Sequence, residues 1–267
     1  MAHPVRPLRD TMPDFVKRLL RSLAFLTRLP PAASAFDSGP HPLGRDVAAF
    51  PIAGLVAAVP SALVVVVLSP FELSTLLVAV IATAMMVWTT GALHEDGLGD
   101  VADGLFGHLP PERAVEVMKD SRVGTYGVLA LVFSVTARVL ILAELIAFSP
   151  LAASFGILGV ACLSRGCMAL LWAELPSADV GGIADSVGQP HLRDAWSALT
   201  IGAVLFVLLA SFGFGVGNAL LGLIFAALKY LGFKRWLRRR LGGQTGDTLG
   251  AVQQLTELSA LFALCFA

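Results

Sequence analysis

Residues 94–104 read His94-Glu95-Asp96-Gly97-Leu98-Gly99-Asp100-Val101-Ala102-Asp103-Gly104. They follow one long apolar run directly and, after a further polar segment, precede another. Asp96, Asp100 and Asp103 stand at i, i+4 and i+7, a spacing that puts all three carboxylates on one helix face. Three unpaired carboxylates repel one another. A divalent cation relieves that repulsion, and oxygen-only ligands favour Mg²⁺, Mn²⁺ or Ca²⁺ over zinc. The plainer reading is a solvated acidic face. A solvated face normally intersperses Lys or Arg, and this one has none.

The surroundings of this stretch set the fold class. Of 267 residues, 56% are hydrophobic and 14% charged, with mean hydropathy +0.78. Soluble domains carry about 25% charged residues, so the composition is that of a polytopic membrane protein, all-α by the usual rule for spanning segments. Net charge is zero, which gives no reason to expect a nucleic-acid partner. Cys162, Cys167 and Cys265 fall in apolar runs and read as small hydrophobes. Pro4, Pro7, Asp10, Pro13 and Asp14 break up the N-terminus, which does not read as a signal peptide.

Residues 1–12 are expected to be a disordered extension, with 13–267 a single membrane domain. Phe15 to Leu29 reads as a basic amphipathic helix on the membrane surface, with Phe15, Leu19, Ser22 and Leu26 on one side. Apolar runs near 47–69, 72–93, 125–147, 151–173, 195–213, 216–233 and 249–266 predict about seven spans of roughly 20 residues each. Pro70, Ser149-Pro150 and the stretch from Gly213 to Gly217 mark short turns, whereas 94–124, 174–194 and 234–248 are longer polar connections. Arg113, Lys119, Arg122, Arg193 and the run Lys234-Arg235-Trp236-Leu237-Arg238-Arg239-Arg240 all fall on one side of this alternation. By the positive-inside bias that side is cytoplasmic, and the candidate catalytic residues share it. Arg138, Glu144, Arg165, Lys229 and Glu257 lie inside apolar runs. Lys229 is close enough to a span end to snorkel. Arg138 and Arg165 call either for buried carboxylate partners or for an anionic substrate.

Two further polar islands complete the candidate site. Lys119-Asp120-Ser121-Arg122-Val123-Gly124-Thr125 joins two cations to hydroxyls and a glycine. Arg122 is suited to bidentate phosphate contact, Lys119 adds a point charge, and the amides at Thr125 open the next span as an anion site. An ordinary cationic membrane boundary is the alternative. Gly242-Gly243-Gln244-Thr245-Gly246-Asp247-Thr248-Leu249-Gly250 is glycine-rich enough for close ligand approach, while Thr245, Asp247 and Thr248 also suit a helix cap. Asp179-Val180-Gly181-Gly182-Ile183-Ala184-Asp185 reads as a lid or a plain loop. The sequence has no phosphate loop and no dinucleotide fingerprint. Acids for a cation and cations for phosphate suit phosphoryl or nucleotidyl transfer. The membrane transferases that use a CDP-alcohol are the generic comparison, but the chain lacks their Ala-Arg and their downstream aspartates. A transporter would explain the intramembrane charges but not the one-sided polar motifs.

Phe25-Leu26-Thr27-Arg28-Leu29-Pro30, Phe50-Pro51-Ile52-Ala53-Gly54, the acidic stretch, Met118 to Gly127, Ser164-Arg165 and Gly242 to Gly250 together resemble the cobalamin synthase (adenosylcobinamide-GDP ribazoletransferase) family, from about residue 15 onward. The resemblance implies a Mg²⁺-dependent transferase of the bacterial cytoplasmic membrane. In that reaction a hydroxyl of α-ribazole, or of its 5′-phosphate, attacks adenosylcobinamide-GDP and GMP leaves. The resemblance places Mg²⁺ on Asp96, Asp100 and Asp103, and makes those three, Asp120 and His94 the candidates for general base. It assigns phosphate to Lys119, Ser121, Arg122, Gly124 and Thr125, with Arg165 deeper, and a polar substrate group to Gln244, Thr245 and Asp247. His94 lies about 160° round a helix from Asp96, which also suits a core histidine. The family reading further suggests association with other enzymes of the pathway and allows a homo-oligomer.

Overall fold

A computed structural model describes residues 13–30, 32–36, 42–107, 109–179 and 181–267. The expected extension at 1–12 lies outside the described residues. The architecture is an all-α bundle: α1 (Asp14–Leu26), α2 (Phe50–Leu68), α3 (Thr75–Thr90), α4 (Leu93–Phe106), α5 (Pro111–Met118), α6 (Thr125–Phe148), α7 (Pro150–Glu174), the single turn α8 (Ile183–Ser186), α9 (Leu192–Arg240) and α10 (Gly246–Leu264).

Among the described residues four helices are long and apolar enough to cross a bilayer: α2 with its flanking 3₁₀ turns, α6, α7 and α9. The 49 residues of α9 are not one rod. Gly215 has φ 79° and ψ 159°, outside helical space and open only to glycine at low cost. Beyond it the chain folds back. A Cβ on Gly222 would stand 2.6 Å from Cζ of Phe206, although 16 residues of straight helix would separate the two by about 24 Å. The arms 192–214 and 216–240 are therefore antiparallel, as the expected turn at Gly213–Gly217 requires. With α2, α6 and α7 they make five segments of span-like length and apolarity among the described residues, and α3 with α4 reaches that measure only as a bent pair, against about seven expected.

The other two predicted spans depart from a plain apolar rod for physical reasons. The predicted span 72–93 becomes α3, only 16 residues long, which turns through 89° into α4. The turn is made by Gly91 (φ 66°) and Ala92 (φ 60°), the latter in a conformation that costs a residue with a Cβ about 1–2 kcal/mol. The predicted span 249–266 becomes α10, whose Gln253, Gln254, Thr256 and Glu257 are all buried against neighbouring helices. α7 occupies the centre and is buried along nearly its whole length.

The intramembrane charges pair with one another. Glu257 accepts from Arg138 on one carboxylate oxygen and from Arg165 Nη1 on the other, at 2.6 Å for Arg165. Gln254 accepts from Arg138 Nη2 at 2.7 Å and donates to Glu95 Oε1 at 3.0 Å, which ties the cluster to α4. Two guanidiniums facing Glu257 and Glu95 leave little net charge to desolvate. α1 is also more embedded than a surface helix. Arg21, one of the basic residues of this helix, is buried and bonds Asp46 at 2.7 and 2.9 Å, while Phe15, expected on the apolar side, is 49% exposed.

Candidate active site

The local sequence of α4 makes two faces. Leu98, Val101, Ala102 and Leu105 bury one of them. Asp96, Asp100 and Asp103 lie on the opposite one, Asp96 exposed and the other two half-buried. The N-terminus of α10 crosses α4 at two glycines. A Cβ on Gly97 would sit 2.6 Å from the Asp247 carbonyl oxygen, and one on Gly250 would sit 3.2 Å from the His94 Cα. Glycine at 97 is required for this approach and glycine at 250 eases it, and the approach carries Asp247 to the acidic face. Asp100 is consequently pushed up to about 7, by burial first and then by the charges of Asp96, Asp247 and Asp103. Asp247 rises to about 6, by burial first and then by Asp96, with Lys119 and the Thr245 hydrogen bond pulling the other way.

Asp103 has a different task from its two neighbours. Its oxygens accept from the Gly124 amide at 2.7 Å and the Gly127 amide at 2.8 Å. It thus caps the N-terminus of α6 with a full negative charge. A Cβ at Gly124 or Gly127 would come within 2.5 or 2.2 Å of the Asp103 oxygens, so both glycines make room for this cap. The amides expected to receive substrate phosphate at Gly124 and Thr125 are partly occupied by the protein's own carboxylate.

The expected phosphate cations are also paired. Lys119 donates to Asp179 Oδ1 at 2.6 Å, and Arg122 holds Asp120 through its Nη2 at 2.6 Å. The Arg122 hydrogen bonds lower Asp120 to about 2, which makes it a weak base. Both cations remain exposed, as do Ser121 and Thr125. Asp179 was legible only as part of a loop. It reaches the site because the 176–178 backbone pairs with the glycine-rich island: Gln244 N donates to Pro176 O and Ala178 N to Gln244 O, both at 2.8 Å. No periodicity in that loop announces such a pairing.

Four other candidates are buried, three of them in the alternative role that the sequence also allowed. His94 is 1% exposed, and burial holds its pKa well below the usual value. Its position is that of the core histidine the sequence allowed, away from the open face. Arg165 is buried in the Glu257 pair, not at the polar surface. Gln244 is 1% exposed and contributes its backbone to the loop pairing. Thr245 forms a capping box with Thr248 at the start of α10. The acids left facing outward are Asp96, Asp100 and Asp247. Among the described residues no three His, Cys, Asp or Glu side chains form a ready-made metal cage. One or two carboxylates plus substrate phosphates and waters are the usual Mg²⁺ environment, and a crowded carboxylate near neutrality fits that chemistry.

The family model for cobalamin-5-phosphate synthase matches residues 18–265. The chain belongs to that family. A relative from Sinorhizobium sp, named adenosylcobinamide-GDP ribazoletransferase, is 45% identical over 257 residues, covering 94% of this chain and 97% of the relative. Relatives of the same name from Rhizobium etli and Brucella ovis are 42% and 40% identical, over 95% and 93% of this chain and 98% and 96% of their own. No solved structure matches the chain. Family membership accounts for the order of the polar motifs, and the fold gathers three of them, around Asp100, Lys119 and Asp247, at one end of the bundle.

Proposed function

We propose that this protein is an adenosylcobinamide-GDP ribazoletransferase of the bacterial cytoplasmic membrane, with its site on the cytoplasmic side. The supporting observation is the convergence of Asp96 and Asp100 from α4 with Asp247 from α10, which raises Asp100 to about 7. Asp96 and Asp100 would hold Mg²⁺. Bound there, the ion would neutralise pyrophosphate oxygens of adenosylcobinamide-GDP.

Asp247, half-buried and at about 6, is placed to accept the proton of the attacking ribose hydroxyl of α-ribazole or its 5′-phosphate. Lys119 and Arg122 would exchange their acidic partners for phosphate oxygens as substrate binds. Asp103 fixes the distance between α4 and α6 and so orients the acidic face. The phosphoanhydride breaks on the corrinoid side, GMP leaves, and adenosylcobalamin or its 5′-phosphate forms.

The test is GMP release from adenosylcobinamide-GDP and α-ribazole by protein in liposomes, with and without Mg²⁺. Mg²⁺-dependent release with a cobalamin product, lost in Asp247→Asn, is expected. Turnover that survives chelation would overturn the metal assignment. Formation of a lipid product from CDP-diacylglycerol would overturn the reaction.

A further inference from the structure

Beneath the apolar face of α4 lies a groove of about 1010 Å³ between α6 and the second arm of α9, floored by α10. Its walls run from Ala130 to Ile141 on α6 and from Phe225 to Trp236 on α9. Each wall is about 16 Å long, close to one leaflet of a ~30 Å hydrocarbon core. Phe133 and Leu228, on opposite walls, are 68% and 64% exposed, so the groove opens sideways, where a bilayer would lie.

One charge stands in it. Lys229 lines the groove and, among the described residues, makes no hydrogen bond or ion pair. Lys229 is exposed on the groove and close enough to a span end to snorkel, so its ammonium is free to meet an anionic headgroup at the interface. Gly232, one turn nearer the basic end of α9, leaves open space beside the path of the lysine toward the interface. Lys234, Arg235, Arg238 and Arg239 at that end line a separate hollow on another face of α9, and Lys234 already pairs with Glu174.

We infer that the groove seats one anionic phospholipid, an acyl chain between α6 and α9 and the headgroup phosphate on Lys229. Chain and headgroup are recognised separately: the apolar walls accept any acyl chain, and Lys229 selects the charge. The lipid would fill the gap under α4 and support the helix that carries the acidic face.

Native mass spectrometry of the delipidated full chain, titrated with dioleoylphosphatidylglycerol or dioleoylphosphatidylcholine, tests this directly. One phosphatidylglycerol should be retained, about fivefold more tightly than phosphatidylcholine. Lys229→Met should erase the preference and leave phosphatidylcholine binding unchanged. Ala137→Phe, which fills the groove, should weaken both lipids without lowering the melting temperature. Equal binding of the two lipids would overturn the inference. So would a preference lost in Arg238→Gln/Arg239→Gln but kept in Lys229→Met. A dimer that Ala137→Phe dissociates would assign the groove to a second copy, and displacement of the lipid by adenosylcobinamide-GDP would assign it to substrate. The readout is lipid retention, so it stands or falls independently of the transferase reaction.

Discussion

Asp100→Asn should make the cation-free protein more stable while removing its response to Mg²⁺. The fold raises Asp100 from 3.8 to about 7. Between those values the native state keeps a proton that the unfolded chain has released. Stability therefore falls as pH rises from about 4 to 7 and stays low above it. A shift of about three units corresponds to a ceiling of about 4 kcal/mol. The carboxylate is only half-buried, and solvent screening reduces this to roughly 1–2 kcal/mol. Asparagine keeps the shape and removes the charge. At pH 7.5 in chelator the variant should melt several degrees above the native sequence, at about 2–4 °C per kcal/mol for a chain of this size. At pH 4.5 most of the difference should be gone, and below the ordinary carboxyl value of 3.8 it should vanish. In the native protein Mg²⁺ at 100 times its Kd should add about 2.7 kcal/mol, and Asp100→Asn should lose most of that gain along with GMP release. Differential scanning fluorimetry in detergent, with Mg²⁺ and with EDTA at both pH values, reads all four states. Equal melting temperatures in EDTA at pH 7.5, or an undiminished Mg²⁺ shift in the variant, would refute the reasoning.

Asp103→Ala uncaps α6 and should cost about 1–2 kcal/mol, a loss that Asp103→Asn partly restores because its amide oxygen still accepts; thermal melts of the two variants check this. Glu257→Ala leaves Arg138 and Arg165 buried without a carboxylate and should destabilise by about 3–5 kcal/mol; expression and melting temperature read it, and near-native stability would show that the pair is not needed. Gly97→Val drives a side chain against the Asp247 backbone and should separate α10 from α4, cutting transferase turnover with a stability loss of about 1–3 kcal/mol. Ala92→Gly relieves the left-handed strain at the α3–α4 turn and should be neutral or stabilising by up to about 1 kcal/mol, in contrast to an alanine-to-glycine change inside α4, which should destabilise.

What the sequence by itself determined follows from local properties. The long apolar runs predict a helical membrane bundle because backbone groups in hydrocarbon must be satisfied within a helix. The Gly213-to-Gly217 stretch marks the reversal that Gly215 carries out. The spacing of Asp96, Asp100 and Asp103 puts them on one face of α4, and the segments around Lys119 and Asp247 read as further parts of one polar site.

Tertiary structure decided which partner each of these residues has. Periodicity reports the face of a helix, not what that face meets. Asp103 shares its face with Asp96 and Asp100, yet the N-terminus of α6 claims its carboxylate. Asp247, far along the chain, joins the acids instead, because Gly97 lets the α10 backbone come close. Arg165 and Arg138 carry no sign of their partner in the sequence; both find Glu257 in the packed bundle. α10 looks like a span by its apolar residues, and its polar ones turn it into the buried element that joins the ion cluster to α4. The chemistry of each residue is local, but the electrostatics of the site arise from charges brought together across the chain, and only the folded arrangement sets those distances.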